Sequence, residues 1–578
     1  MFRTSVLIRL PIAVLLCWPM IASAAGPRRP IDVCYAAADS RLLVVCERSA
    51  ELLQLDSADG RVLSRLKIGG VPVSVTPLSD ASAVVADRRG GRLVFVDVAP
   101  DGLEIAAVVN GLRDAVAVVQ GSDHELFVAG RWTREVTCLD STDTSAVRKK
   151  WHTPLGFSPG IVKYLHDQKT LIVTDHFGSQ IALLDPLTGQ LKRQIVYSGH
   201  RLRGLVDDPD GERLLMSHQM LHPTAEATTT NITWGMMVSN DLYWLDRSQI
   251  IAGQGDAFYE GGNLQAIGFV GQGGADPNDV AISSDGVVVV AIGGMNQVAV
   301  GVEDDYQFAR LPVGINPVAV VIDAKGDFAW VVNRLDDTLT KIDLRHRKSL
   351  RNVSLSPDWK PSPLDLGERL FHSSRFSHQH WMTCASCHPG GHAVNERAEN
   401  LSDGGYESPK RVLSLLGRSE TPPFGWVGQD AHLEDQIVRS VKSTMRGSRM
   451  LKPNEVRQLT EFIRSLQPPP TAIDLSETKI AAAVSRGSEI FRRERCGSCH
   501  APPLYTSSEL YDVGLADGVG NTEFNPPSLI GIGQRGPKYL HDLRAESLED
   551  IFSKHDHPLE TGLTDAERHD LTMFLKSL

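Results

Sequence analysis

Between residues 30 and 357 the chain repeats itself. Each unit carries an apolar run after a turn, then a second apolar run closed by an aspartate. Leu43-Val44-Val45-Cys46 is followed by Leu52-Leu53-Gln54-Leu55-Asp56, Leu171-Ile172-Val173-Thr174 by Ile181-Ala182-Leu183-Leu184-Asp185, and Ala329-Trp330-Val331-Val332 by Leu339-Thr340-Lys341-Ile342-Asp343. The closing aspartate recurs as Asp56, Asp97, Asp140, Asp185, Asp246 and Asp343. Units begin near Ile31, Pro72, Ala115, Gly160, Arg203, Pro277 and Pro317, mostly about 40–45 residues apart. That length suits a four-stranded antiparallel blade. Seven blades closed into a ring leave no exposed sheet edge, so residues 26–357 are read as an all-β, seven-bladed propeller.

The pattern resembles the broad seven-bladed family with YVTN-type repeats, a likeness that implies fold and not activity. The fifth unit is too long, about 74 residues from Arg203 to Pro277. Its extra length is expected to leave the blade as loops, which often carry function. His218 and His222 lie there. They are either a pair of metal ligands or two unpaired histidines on a surface loop.

Beyond Ser354 the pattern becomes helical, after a stiff linker with Pro357, Pro361 and Pro363. Pro468-Pro469-Pro470 divides the remainder into 358–468 and 469–578, and the two halves correspond. Cys384 and Cys496 are 112 positions apart, as are Phe462-Ile463-Arg464-Ser465-Leu466 and Phe574-Leu575-Lys576-Ser577-Leu578. Ser414-Leu415-Leu416-Gly417 answers to Ser528-Leu529-Ile530-Gly531, and Leu433-Glu434-Asp435 to Leu548-Glu549-Asp550. A duplicated helical domain follows.

Each half holds a Cys-x-x-Cys-His motif, Cys384-Ala385-Ser386-Cys387-His388 and Cys496-Gly497-Ser498-Cys499-His500. In c-type haem attachment the two thiols add across the vinyl groups and the adjacent histidine ligates iron. Two such motifs at equivalent places predict two covalently bound haem c groups, with His388 and His500 on the irons. The alternative, a four-cysteine zinc site, leaves both histidines unexplained.

Charge and leader agree with an exported redox protein. The net charge of −11, from 70 acids against 59 bases, disfavours nucleic acid and anionic membranes. Arg3 and Arg9, the apolar run Leu10 to Ile21 and Ala22-Ser23-Ala24 read as a signal peptide over 1–25, which removes Cys17 and implies a periplasmic location. No later segment approaches 18 uninterrupted apolar residues.

Residues 362–578 resemble the bacterial dihaem cytochrome c peroxidase superfamily, including MauG-type enzymes that oxidise a partner protein. The likeness rests on Leu366-Gly367-Glu368-Arg369-Leu370-Phe371, Phe424-Gly425-Trp426, Leu433 to Gln436, Pro527-Ser528-Leu529, Pro537-Lys538-Tyr539-Leu540-His541-Asp542 and Leu563-Thr564. It implies two cytochrome c-like helical domains, peroxide chemistry at the first haem and electron relay through the second. It implies that His555, seven positions after Leu548, is the second ligand of the second haem, with His557 as the alternative. The equivalent first-half residue is Ser440, a poor ligand, so the first iron is expected to be open unless Met445, His392 or His432 closes it. Trp426 matches the tryptophan between the haems. Arg446, beside Met445, stands where the superfamily has a proton-handling acid, which weakens peroxide cleavage or supplies a cation to a developing anion. Calcium between the domains is a further implication, through the carbonyls of Arg535 and Pro537.

Cys34 and Cys46 flank the turn at Asp39-Ser40 and sit opposite in a two-residue hairpin register, so a disulfide is expected in an oxidising compartment; Cys138 is then single and buried. The sequence thus predicts an exported dihaem oxidoreductase of peroxidase type with a redox protein or hydrogen peroxide as partner. The alternatives are a non-catalytic electron carrier that docks through its propeller, and a propeller-borne active site at His218 and His222.

Overall fold

The computed structural model describes residues 26–578 apart from 123, 145, 254–257, 402–404 and 556. The expected leader, with Cys17, lies outside the described residues.

Seven four-stranded antiparallel sheets follow one another along the chain. The first is Pro30–Ala36, Arg41–Cys46, Glu51–Asp56 and Val62–Lys67; the seventh is Pro317–Ile322, Phe328–Asn333, Thr338–Asp343 and Lys348–Ser354. Sheet strands alternate their side chains between two faces. In Arg41–Cys46, Leu42, Val44 and Cys46 pack with Trp330, Val332 and Leu339 of the seventh blade, while Leu43 and Val45 pack with Val75, Val85 and Val94 of the second. Both faces are therefore buried between neighbouring blades, which explains continuous apolar runs where one-sided sheets would alternate. Each such side chain contributes about 1.5–3 kcal/mol.

Among the described residues no strand is exchanged between first and last blades; side chains close the ring. Asp337 accepts the backbone N–H groups of Arg28 (2.6 Å) and Arg29 (2.9 Å), and the Trp330 indole donates to the Ser57 carbonyl (3.0 Å).

The Cys34–Cys46 expectation fails. The first hairpin turns through four residues, Ala37 to Ser40, and pairs Ala36 with Arg41, so Cys34 faces Leu43 while Cys46 faces Pro30. Cys34, Cys46 and Cys138 are buried free thiols, and burial pushes all three above the usual thiol range.

The fifth blade keeps its four strands, His200–Asp207, Arg213–Leu221, Val238–Asp246 and Asn263–Ala266. Its extra length forms a short helix, Thr229–Thr233, a second, Arg247–Ala252, and the loop before Pro277. His218 is not on a surface loop. It lies within Arg213–Leu221, is 1% exposed, and packs against Tyr197 and Tyr243. Among the described residues no group of three or more histidine, cysteine or acidic side chains is arranged to hold a metal ion.

The helical region shows its duplication in close packing. In the first half, helices Pro363–Phe371 and Pro453–Ser465 cross where a Cβ on Gly367 would come 2.0 Å from the Gln458 carbonyl. In the second, Thr478–Arg493 and Asp565–Ser577 cross where a Cβ on Gly487 would come 2.0 Å from the Asp570 carbonyl. Phe371 meets Phe462 at 5.1 Å and 55°, and Phe491 meets Phe574 at 5.3 Å and 58°. Both halves bear on one another and on the propeller: Lys410 pairs with Asp517 at 2.9 Å, and Arg29 pairs with Asp365 at 2.6 Å.

Candidate functional site

A one-turn helix, Cys384–Cys387, places its two cysteines at i and i+3, on one side of the turn. Both thiols and His388 line a cavity of about 270 Å3 between the helices of the first half. The second half repeats the device. Cys496, Cys499 and His500 line a separate cavity of about 280 Å3. Most of the lining is apolar, including Phe371, Leu433 and Ile463 in the first cavity and Phe491, Leu548 and Leu571 in the second.

These residues fit haem c on three counts. Each thiol pair shares its cavity with the following histidine. His388 Nδ1 lies 3.2 Å from the His392 carbonyl, and His500 Nδ1 lies 3.2 Å from the Tyr505 carbonyl. A carbonyl there fixes the proton on Nδ1 and leaves the Nε2 lone pair for a metal. Burial pushes His388 and His500 down to about 4, so both rings are neutral, as ligation requires.

Four imidazoles line the second cavity, those of His392, His500, His541 and His557, and ring contact singles out His557 beside His500. His557 lines it, with its ring centroid 6.5 Å from that of His500. Metal–imidazole bonds of about 2 Å on either side of one ion give a separation close to this. His555 is not among the lining residues.

Among the described residues, His388 alone brings an imidazole to the first cavity. Gln436, Ser440, Thr444 and Met445 line it from the segment after Trp426. Helix Leu433–Arg439 runs on into a wide π turn, Ser440–Thr444, and Gln436 Nε2 donates to Ser440 Oγ at 3.2 Å. The sequence marks Gln436 only as part of the resemblance and gives it no role at the site, although its position one turn before Ser440 puts both on one helix face. His432, at the helix N-terminus, is exposed, and His392 lines the second cavity, its Nδ1 on Ser414 Oγ at 2.9 Å.

Arg446 does not line either cavity. Its Nε donates to the Ala227 carbonyl and its Nη2 to the Tyr406 hydroxyl, both at 2.8 Å. Ala227 belongs to the fifth-blade insertion. Ala227, Ile232 and Met237 of that insertion, with Leu221 at the end of the strand before it, share a core with Met382, Leu433, Val441 and Met445. The insertion thus forms the outer layer of the first cavity, and Arg446 fastens it.

Trp426 lines both cavities. Its indole donates to the Arg411 carbonyl at 2.8 Å, and its own carbonyl accepts from Asn525 at 2.8 Å. Arg411 and Arg535 also line both. Burial pushes Arg411 down to about 10. Its guanidinium donates to the carbonyls of Lys538 (2.6 Å) and Arg535, the latter one of the two carbonyls expected to face calcium.

Residues 361–473 match the family model of the di-haem cytochrome c peroxidases. Methylamine utilization protein MauG of Methylorubrum extorquens is 24% identical over 41% of this chain and 84% of its own length; that relationship implies haem c cofactors. Among solved structures, Kuenenia stuttgartiensis hydrazine synthase aligns with 56% of this chain and 98% of its own (16% identity, TM-score 0.47). A streptogramin B lyase aligns with 54% and 92% (11% identity, TM-score 0.41). No helix among the described residues is long and apolar enough to cross a membrane.

Proposed function

We propose, for a chain whose C-terminal region belongs to the di-haem cytochrome c peroxidase and MauG superfamily, an exported haem oxidoreductase in which the first site is reactive and the second relays electrons. Cys384, Cys387 and His388 hold one haem c, and Cys496, Cys499 and His500 the other. Haem c supplies an iron that changes oxidation state and, where a coordination position is open, takes up a peroxide or another small ligand.

The asymmetry of the two cavities carries the reading. His557 stands across from His500, whereas Gln436, Ser440 and Met445 face the first cavity without a second histidine. We assign His557, not His555, as the second ligand of the second site. Gln436 keeps an amide N–H and a carbonyl oxygen free to orient a small polar ligand. Trp426, in the wall of both cavities, is the relay between them. Arg446 has no catalytic part. The fifth-blade insertion shields the first cavity from water, and a redox protein or hydrogen peroxide exchanges electrons with the periplasmic protein.

Electron paramagnetic resonance of the oxidised protein, with cyanide and carbon monoxide binding, tests this. One low-spin signal with two imidazoles and one site that takes exogenous ligand are expected. Two six-coordinate sites that bind nothing in either oxidation state would leave the electron-carrier reading, for which the buried Met445 on the first cavity wall is the supporting observation.

A further inference from the structure

The first Cys-x-x-Cys turn is held by the propeller, and the second is not. Asp276, in the loop entering the sixth blade, is fully buried. Its Oδ2 accepts from Thr383 Oγ1 at 2.6 Å and its Oδ1 from Ser386 Oγ at 2.5 Å. Thr383 immediately precedes Cys384, and Ser386 lies between the two cysteines. Ser386 Oγ in turn accepts the Thr383 N–H at 2.9 Å, so the carboxylate bridges both ends of the turn.

Two further propeller residues complete the clamp. Arg201 Nη1 lies 2.8 Å from Asp276 Oδ1 and also donates to Gln219 at 2.9 Å. His200 faces the Ser386 carbonyl through Nε2 at 3.2 Å, while its Nδ1 accepts the Leu221 N–H at 3.2 Å. The Leu221 N–H fixes the tautomer: Nδ1 is the acceptor, so Nε2 carries the proton and donates. Arg201, His200 and Asp276 are each at most 4% exposed. Among the described residues the second turn has no such partner. Its Ser498 carbonyl accepts from Tyr511 of the same domain at 3.1 Å, and its Ser498 hydroxyl lies against Cys499.

We infer that Asp276 is a positioning residue of the first haem site, fixing the attachment turn and setting the charge balance behind it, so that the propeller tunes the first haem and not the second. The inference rests on the reading that Cys384 and Cys387 carry haem. A buried carboxylate close to the attachment turn stabilises the more positive, oxidised iron, because little solvent screens it. Its pairing with Arg201 reduces that effect but leaves the two charges coupled: neutralising Asp276 leaves Arg201 unbalanced, which favours the reduced iron further.

The test is potentiometric titration of the holoprotein, following each haem by its own spectrum, in wild type and Asp276→Asn. Asparagine keeps the shape and removes the charge. The first haem's reduction equilibrium is expected to shift roughly tenfold towards the reduced form, with the second haem unchanged. Haem staining after denaturation separates the two readings, since two retained haems uphold attachment at both motifs whatever the potentials do. Unmoved potentials in a fully loaded Asp276→Asn protein overturn the inference. Should that variant fail to load haem, Thr383→Val keeps the charge and removes one clamp bond; an altered first-haem spectrum supports the clamp, and a wild-type spectrum overturns it.

Discussion

Glu368 fastens the first haem domain to the propeller, and its titration makes that attachment measurable. Its carboxylate accepts from Arg334 at 2.7 Å and from Arg29 at 3.1 Å, both on the propeller. Burial alone would raise its pKa, yet the two guanidiniums hold it at about 2, against an ordinary 4.5. A folded-state pKa below the unfolded one means stability that is present above about pH 4.5 and lost as pH falls towards 2. The drop from 4.5 to about 2 is worth about 3 kcal/mol. Glu368→Gln keeps the side chain's size and abolishes this titration. Arg29 retains Asp365 and Arg334 retains Glu47, so neither cation is left without an acid. Urea unfolding of both proteins at pH 7 and near pH 2 is the assay. The wild type should exceed the variant by about 3 kcal/mol at pH 7, and the gap should shrink to under about 1 kcal/mol near pH 2. The difference between the proteins isolates Glu368 from every other acid. A gap that stays constant across that range refutes the assignment.

Arg446→Ala should lower thermal stability by about 0.5–1.5 kcal/mol, because the buried Ala227 carbonyl loses one of its two donors and keeps the Tyr406 hydroxyl at 3.2 Å, while kcat with peroxide stays within about twofold. A loss on the hundredfold scale of a missing proton-transfer group would return Arg446 to catalysis. His557→Ala should give the second haem a new high-spin signal, and His555→Ala should leave its spectrum as it was; the opposite pair of results would reverse the assignment. Gly487→Ala should destabilise the second haem domain by roughly 1–3 kcal/mol in calorimetry, since its Cβ would meet the Asp570 carbonyl at 2.0 Å. An unchanged melting profile would mean that those helices do not cross so closely.

What the sequence disclosed depended on how local the cause was. The blades were legible because burial on both faces writes a continuous apolar run into each strand, and each unit could be placed to within a few residues. The paired Cys-x-x-Cys-His motifs were legible because attachment chemistry needs those residues within five positions. Counting along the chain failed where backbone geometry intervened. The Cys34–Cys46 pairing assumed a two-residue turn, and the actual turn has four residues, three of them (Ala37, Ala38 and Asp39) at positive φ. The resemblance implies His555 as a ligand, seven positions after Leu548 as Ser440 is after Leu433. In the first half the helix continues through the π turn Ser440–Thr444, but in the second it stops at Ser553. Past that stop, equal counts no longer mean equal places, and His557 reaches the cavity instead. Arg446 sits just beyond the π turn at a φ of 52°, and its side chain runs to Ala227.

The least legible part was the junction, because its partners are far apart in sequence. Arg446 meets Ala227 across 219 positions, Thr383 meets Asp276 across 107, and Arg29 meets Glu368 across 339. No local pattern marks such pairs, and only the long fifth unit hinted that the propeller reached outward. Each contact falls on the first half: one fastens the insertion outside its cavity, one clamps its attachment turn, and one anchors its first helix. The second half touches the propeller more lightly, as where Gln534 donates to the Trp132 carbonyl at 2.9 Å and Arg113 pairs with Asp474 at 3.0 Å. Two halves that correspond in motif spacing and helix packing therefore have different surroundings. The half whose cavity lacks a second histidine is the one whose attachment turn and outer core the propeller holds. The proposed division of labour draws on that asymmetry, since a site that binds a small ligand gains from a layer that limits water.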